Sequence, residues 1–105
     1  MISASNIYLV GPMGVGKITV GKALAKSLGM DFIDSDQQIE DRTGVSISTI
    51  FDIEGEEGFR KREAQMIFEL VQKKNIVLAT GGGAVAREDV RKVMRHNGLV
   101  IYLHA

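Results

Sequence analysis

Apolar positions along this chain fall into short unbroken runs separated by stretches of helical spacing. The run Ile7-Tyr8-Leu9-Val10 predicts a buried strand over about residues 6 to 10. Val20 to Leu28 reads as a helix with Gly29 as its C-cap. Phe32-Ile33 predicts a short second strand, then a helix from Gln37 to Thr43 that Gly44 stops. Ser46 to Asp52 predicts a further short helix. A long helix over Glu56 to Lys74 follows, its apolar stripe formed by Phe59, Ala64, Ile67, Phe68, Leu70 and Val71. Ile76-Val77-Leu78-Ala79 reads as a buried strand and runs straight into Gly81-Gly82-Gly83. A helix over Arg87 to Arg95 and a strand over Leu99 to Leu103 complete the pattern. Strands joined by helical crossovers imply an α/β fold with a parallel sheet covered on both faces and a ligand site at the strands' carboxyl ends.

The first strand leads into Gly11-Pro12-Met13-Gly14-Val15-Gly16-Lys17. Strand, glycine loop and helix in this order form a phosphate cradle, built from backbone N–H groups and a helix N-terminus, with Lys17 as the mobile positive charge. Gly14, Val15, Gly16, Lys17, Ile18 and Thr19 are therefore the candidate ATP-binding residues. The motif calls for Ser or Thr directly after the lysine, where a hydroxyl ligates the nucleotide's magnesium, and here that residue is Ile18. Thr19 is no simple substitute, because one helical residue turns a side chain by about 100°. Phosphate binding is expected, and metal assistance is placed in question.

Composition narrows the setting. The chain has 105 residues, 13 basic and 13 acidic, and no cysteine. Balanced charge gives no reason to expect nucleic acid or an anionic membrane as partner, and disulfides and thiolate metal sites are excluded. The N-terminus carries no positive charge ahead of its apolar run, which is too short for a signal or a membrane span, so a cytoplasmic enzyme domain over 1–105 is expected.

Asp34 and Asp36 follow the second strand, and Phe51 to Glu63, which contains Arg60, precedes the third. With the phosphate loop and the triple glycine, these resemble the shikimate kinases, three-layer α/β/α P-loop enzymes that phosphorylate the 3-hydroxyl of shikimate on the route to aromatic amino acids. The resemblance implies ATP as co-substrate and Mg2+ as cofactor. It implies that Lys17 contacts the transferred phosphate and that Asp34 holds the metal through water. Asp36 would bind the ring hydroxyls and accept the proton of the attacking one. Arg60 would grip the shikimate carboxylate, and Gly81, Gly82 and Gly83 would lie against the ring. A bidentate Arg–carboxylate fork and a carboxylate base suit those roles chemically.

Plainer readings exist beside these. Asp36 suits the N-cap of the following helix, and Arg60, with Glu63 as its helical neighbour, suits a solvated surface charge. His96 and His104 have no metal-ligand spacing. The chain also stops before the family's lid, a further substrate arginine, and a last strand and helices. That implies a C-terminally truncated fold with weak or no activity by itself, and a last strand left open to association with another chain in place of the family's monomer. A catalytically defective nucleotide- or shikimate-binding remnant and another small-molecule P-loop kinase, such as a gluconate kinase, are the alternatives.

Overall fold

The structure, a computed structural model, describes residues 6–12 and 14–104; Met13 of the phosphate loop lies outside them. The described residues form one parallel sheet of β1 (Ile7–Val10), β2 (Asp31–Asp34), β3 (Ile76–Ala79) and β4 (Leu99–Tyr102), in the order β2-β3-β1-β4. Helix α1 (Lys17–Leu28) joins β1 to β2. Helices α2 (Ser35–Thr43) and α3 (Ile47–Leu70) join β2 to β3, and a 3₁₀ turn (Ala84–Ala86) with α4 (Glu88–Asn97) joins β3 to β4. The chain leaves β1 toward one edge of the sheet and later returns past β3 to the other. The β1/β3 junction is thus the topological switch point, where open parallel sheets bind ligands.

The pleat sorts the apolar runs between two layers. Leu9 and Val77 point toward α1 and pack with Ala25, Leu24 and Phe32, while Tyr8, Val10 and Leu78 face the α2–α4 layer with Ile39, Ile67 and Met94. Burial of each such side chain contributes about 1.5–3 kcal/mol, which is why unbroken apolar runs mark the two central strands. Asn6 pins them together. Its amide donates to the Tyr8 hydroxyl at 2.9 Å and to the Lys73 carbonyl at 2.8 Å, and its Oδ1 accepts from the Ile76 N–H at 3.1 Å.

Several boundaries differ from the sequence reading. Helix α1 begins at Lys17 rather than Val20, because Gly16 serves as its N-cap in the left-handed region (φ 83°). Helix α2 begins at Ser35, and its cap is Asp34, whose side chain accepts from the Asp36 N–H at 3.1 Å. The capping role considered for Asp36 therefore belongs to Asp34, and the Asp36 carboxylate is left for other work. The two helices expected around Gly55 run on as α3, broken where Gly55 adopts φ 74° and ψ 178°. Helix α3 ends at Leu70 rather than Lys74, and Asn75 turns the chain with φ 63°. Gly29 and Gly44 cap their helices in the left-handed conformation, as expected.

Strand β4 pairs only with β1 among the described residues, and Leu99 and Tyr102 on it are 55% and 54% exposed. An apolar strand with an open edge invites pairing with another chain. The 105-residue chain is expected to associate in light scattering, and Tyr102→Lys, which adds a charge at that edge, to restore the monomer. A monodisperse parent chain would contradict this.

Candidate functional site

Two adjoining cavities open at the carboxyl ends of β1, β2 and β3. The first, of about 290 Å³, is lined by Gly14, Gly16, Lys17, Ile18, Thr19, Asp34, Asp36 and the segment 79–82. The second, of about 610 Å³, is lined by Pro12, Gln37, Glu40, Ile47, Phe51, Phe59, Arg60, Glu63 and Gly83. Asp34, Asp36, Gly81 and Gly82 line both, so a group in one cavity meets a group in the other across these residues. Of the six candidate ATP-binding residues, Val15 alone lines neither.

The phosphate side is assembled from backbone. Helix α1 has no side-chain N-cap and no acidic residue in its first turn, so its leading N–H groups face the cavity unopposed. The Lys17 ammonium folds back onto the loop, donating to the Gly11 carbonyl at 2.6 Å and the Pro12 carbonyl at 2.9 Å. Burial lowers its pKa, against the pull of the Asp36 and Asp34 carboxylates.

The second cavity is organised by a buried ion pair. Glu63 is 2% exposed, and its Oε1 accepts from Arg60 Nη1 at 2.8 Å. Glu56 adds a longer contact to Arg60 at 3.7 Å, and the guanidinium lies 5.3 Å from the centroid of the Phe59 ring. Burial raises the Glu63 pKa, opposed by the hydrogen bond and charge of Arg60. Asp36 is pushed up to about 6, first by burial and then by the Glu63 and Asp34 carboxylates, with Lys17 and Arg60 pulling the other way. Asp36 Oδ1 and Glu63 Oε2 are both buried without a hydrogen-bond partner. Both oxygens lie beside Gly81, and each is a buried acceptor without a donor.

The triple glycine admits these side chains. A methyl group on Gly81 would lie 2.5 Å from Glu63 Oε2 and 2.9 Å from Asp36 Oδ1, and one on Gly83 would lie 2.6 Å from Arg60 Nη1. Gly81→Ala is expected to cost about 1–3 kcal/mol by overpacking, measurable as a lower urea midpoint. An unchanged midpoint would show that the two carboxylates yield freely.

Sequence reasoning placed Lys17, Asp34, Asp36, Arg60 and the glycines around one locus, as found, but missed Glu63 as a site residue. The signal was present: Glu63 follows Phe59 by four residues and precedes Ile67 by four, on the buried stripe of α3. Thr80 was also passed over. It is 3% exposed, lines the first cavity, and its hydroxyl donates to the Leu9 carbonyl at 3.3 Å.

The shikimate kinase family model matches residues 13–105. The chain belongs to the shikimate kinase family. It is 59% identical over 103 residues to the shikimate kinase of Histophilus somni, covering 98% of this chain and 59% of that one. A solved structure of the Acinetobacter baumannii shikimate kinase in complex with shikimate superposes with a TM-score of 0.95 at 51% identity, over 98% of this chain and 57% of that one. The chain spans about 60% of the length of the curated relatives it matches. A gluconokinase from Sinorhizobium meliloti, at 18% identity and a TM-score of 0.55, over 96% of this chain and 57% of that one, shares the fold alone. Among the described residues no helix is long and apolar enough to cross a membrane.

The magnesium ion implied by the family does not fit the donors present. Ile18 is 45% exposed and lines the phosphate cavity with a hydrocarbon where a hydroxyl is called for. Asp34 Oδ1 is engaged by the Asp36 N–H at 3.1 Å.

Proposed function

We propose that this chain serves the ATP-dependent phosphorylation of the 3-hydroxyl of shikimate to shikimate 3-phosphate. The observation that carries the reading is the wall shared by the two cavities, where Asp36 stands between the phosphate loop and the Arg60–Glu63 pair. The nucleotide's phosphates would lie on the first turn of α1, with Lys17 exchanging the Gly11 and Pro12 carbonyls for phosphate oxygens. Shikimate would enter the larger cavity with its carboxylate on Arg60, held in place by Glu63. The 3-hydroxyl oxygen attacks the terminal phosphorus, the new O–P bond forms as the bond to the β-phosphate oxygen breaks, and the hydroxyl proton passes to Asp36. A carboxylate with a raised pKa is a stronger base than an ordinary one and remains ionised at neutral pH. Phosphoryl transfer needs chiefly positioning and charge neutralisation, and Lys17 with the helix N-terminus supplies part of the latter.

The assay is phosphorus NMR of the chain with ATP and either shikimate or gluconate. A slowly growing phosphomonoester with shikimate alone is expected. Product on gluconate at a similar rate would overturn the assignment. Ile18 favours a second reading, a protein that holds nucleotide and shikimate without turnover. Binding of both ligands with no phosphomonoester would establish that reading instead.

A further inference from the structure

The nucleotide cavity keeps its phosphate-binding parts and lacks its metal-binding ones. On the phosphate side stand the left-handed Gly16 cap, the uncapped first turn of α1 and Lys17. On the metal side, magnesium requires octahedral oxygen at about 2.0–2.1 Å and gives up its water reluctantly. At position 18 it meets a branched hydrocarbon, which cannot replace a displaced water. The Thr19 hydroxyl leaves the helix about 100° further round, and Asp34 spends one carboxylate oxygen on capping α2.

We infer that the phosphate loop of this chain is a metal-independent site that takes the free di- or triphosphate of a nucleotide, with Ile18 as the residue that removes the magnesium preference. This rests on the nucleotide reading above. In a P-loop with the hydroxyl, the cation is clamped between protein and phosphates and so raises nucleotide affinity. Here the phosphates are held by N–H groups and an ammonium alone, and a cation carried in by the nucleotide gains no protein ligand at this position.

The test is calorimetric titration of ADP into the chain and into Ile18→Ser, each in EDTA and in excess magnesium. The parent should bind ADP equally in both media. The Ser variant should bind about 10-fold or more tightly with magnesium, the size of effect that even the hydrogen-bond partners of metal ligands have on affinity. Ile18 is nearly half exposed, so the substitution should leave folding intact. Manganese resonance of Mn–ADP in oxygen-17 water gives a readout on the parent that needs no variant: the cation should carry as many waters on the parent as in buffer, because no protein oxygen displaces one. Magnesium tightening in the parent equal to that in the Ser variant, or a manganese ion that loses a water on binding to the parent, would overturn the inference while leaving the nucleotide site standing. No saturable ADP heat in either medium would overturn the nucleotide reading itself, and this inference with it.

Discussion

Arg60→Ala is expected to destabilise the chain by about 2 kcal/mol and, under the proposed function, to abolish the grip on shikimate. The loss of stability arises from Glu63. This carboxylate is 2% exposed, its Oε1 has Arg60 as partner, and its Oε2 has none. Breaking a fully buried pair by removing one member typically costs about 3–5 kcal/mol. The smaller figure reflects an Arg60 side chain that is 25% exposed. A surface arginine on the same helix provides the contrast. Arg62 makes a bidentate pair with Glu54 at 2.6 and 2.7 Å, in the open, and Arg62→Ala should leave the unfolding midpoint nearly unchanged. Glu63→Gln in the Arg60→Ala background should recover much of the loss, because a neutral amide does not need the guanidinium. Additive behaviour of the two substitutions in urea unfolding would show that the pair is not coupled.

Asp36→Asn is expected to stabilise the ligand-free chain at neutral and alkaline pH while removing the proposed base. The Asp36 carboxyl rises from 3.8 to about 6 on folding, so between those values the folded chain holds a proton that the unfolded chain has released. Stability therefore falls as pH rises through that window and levels off above about 6. The shift corresponds to about 3 kcal/mol if unscreened, and to about 1–2 kcal/mol for a half-buried side chain reached by solvent. The Asn variant should be the more stable by that amount near pH 8 and should match the parent below the window, where both side chains are neutral. The raised Glu63 pKa gives a slope of the same sign, which persists in the variant. A parent whose stability increases with pH across the window would contradict the assignment.

These substitutions separate what was legible in the sequence from what was not. The central strands were legible because β1 and β3 are buried on both faces and so read as unbroken apolar runs. Gly29 and Gly44 marked helix ends through their left-handed caps. The start of α1 was read too late, because Lys17, Ile18 and Thr19 resemble loop residues until Gly16 is recognised as the cap. Asp34 and Asp36 were both seen, but which of them caps α2 depends on backbone geometry that residue types two positions apart do not specify. Glu63 was read as a partner of Arg60 at the surface, since charges on helices are usually solvated. Its burial follows from α3 packing this stripe under the glycine turn, a tertiary contact with no local signature.

The central claim is that the cavity beside the phosphate loop receives shikimate with its carboxylate on Arg60. Calorimetric titration of the unaltered chain with shikimate and with its methyl ester tests this most directly, because the charge is removed from the ligand and the fold is left untouched. One shikimate per chain is predicted, with the ester bound more weakly by about 10-fold or more, in line with the loss of a charge-assisted hydrogen bond of about 1.5–3 kcal/mol. Equal affinity for acid and ester, or no saturable binding of shikimate, would contradict the account.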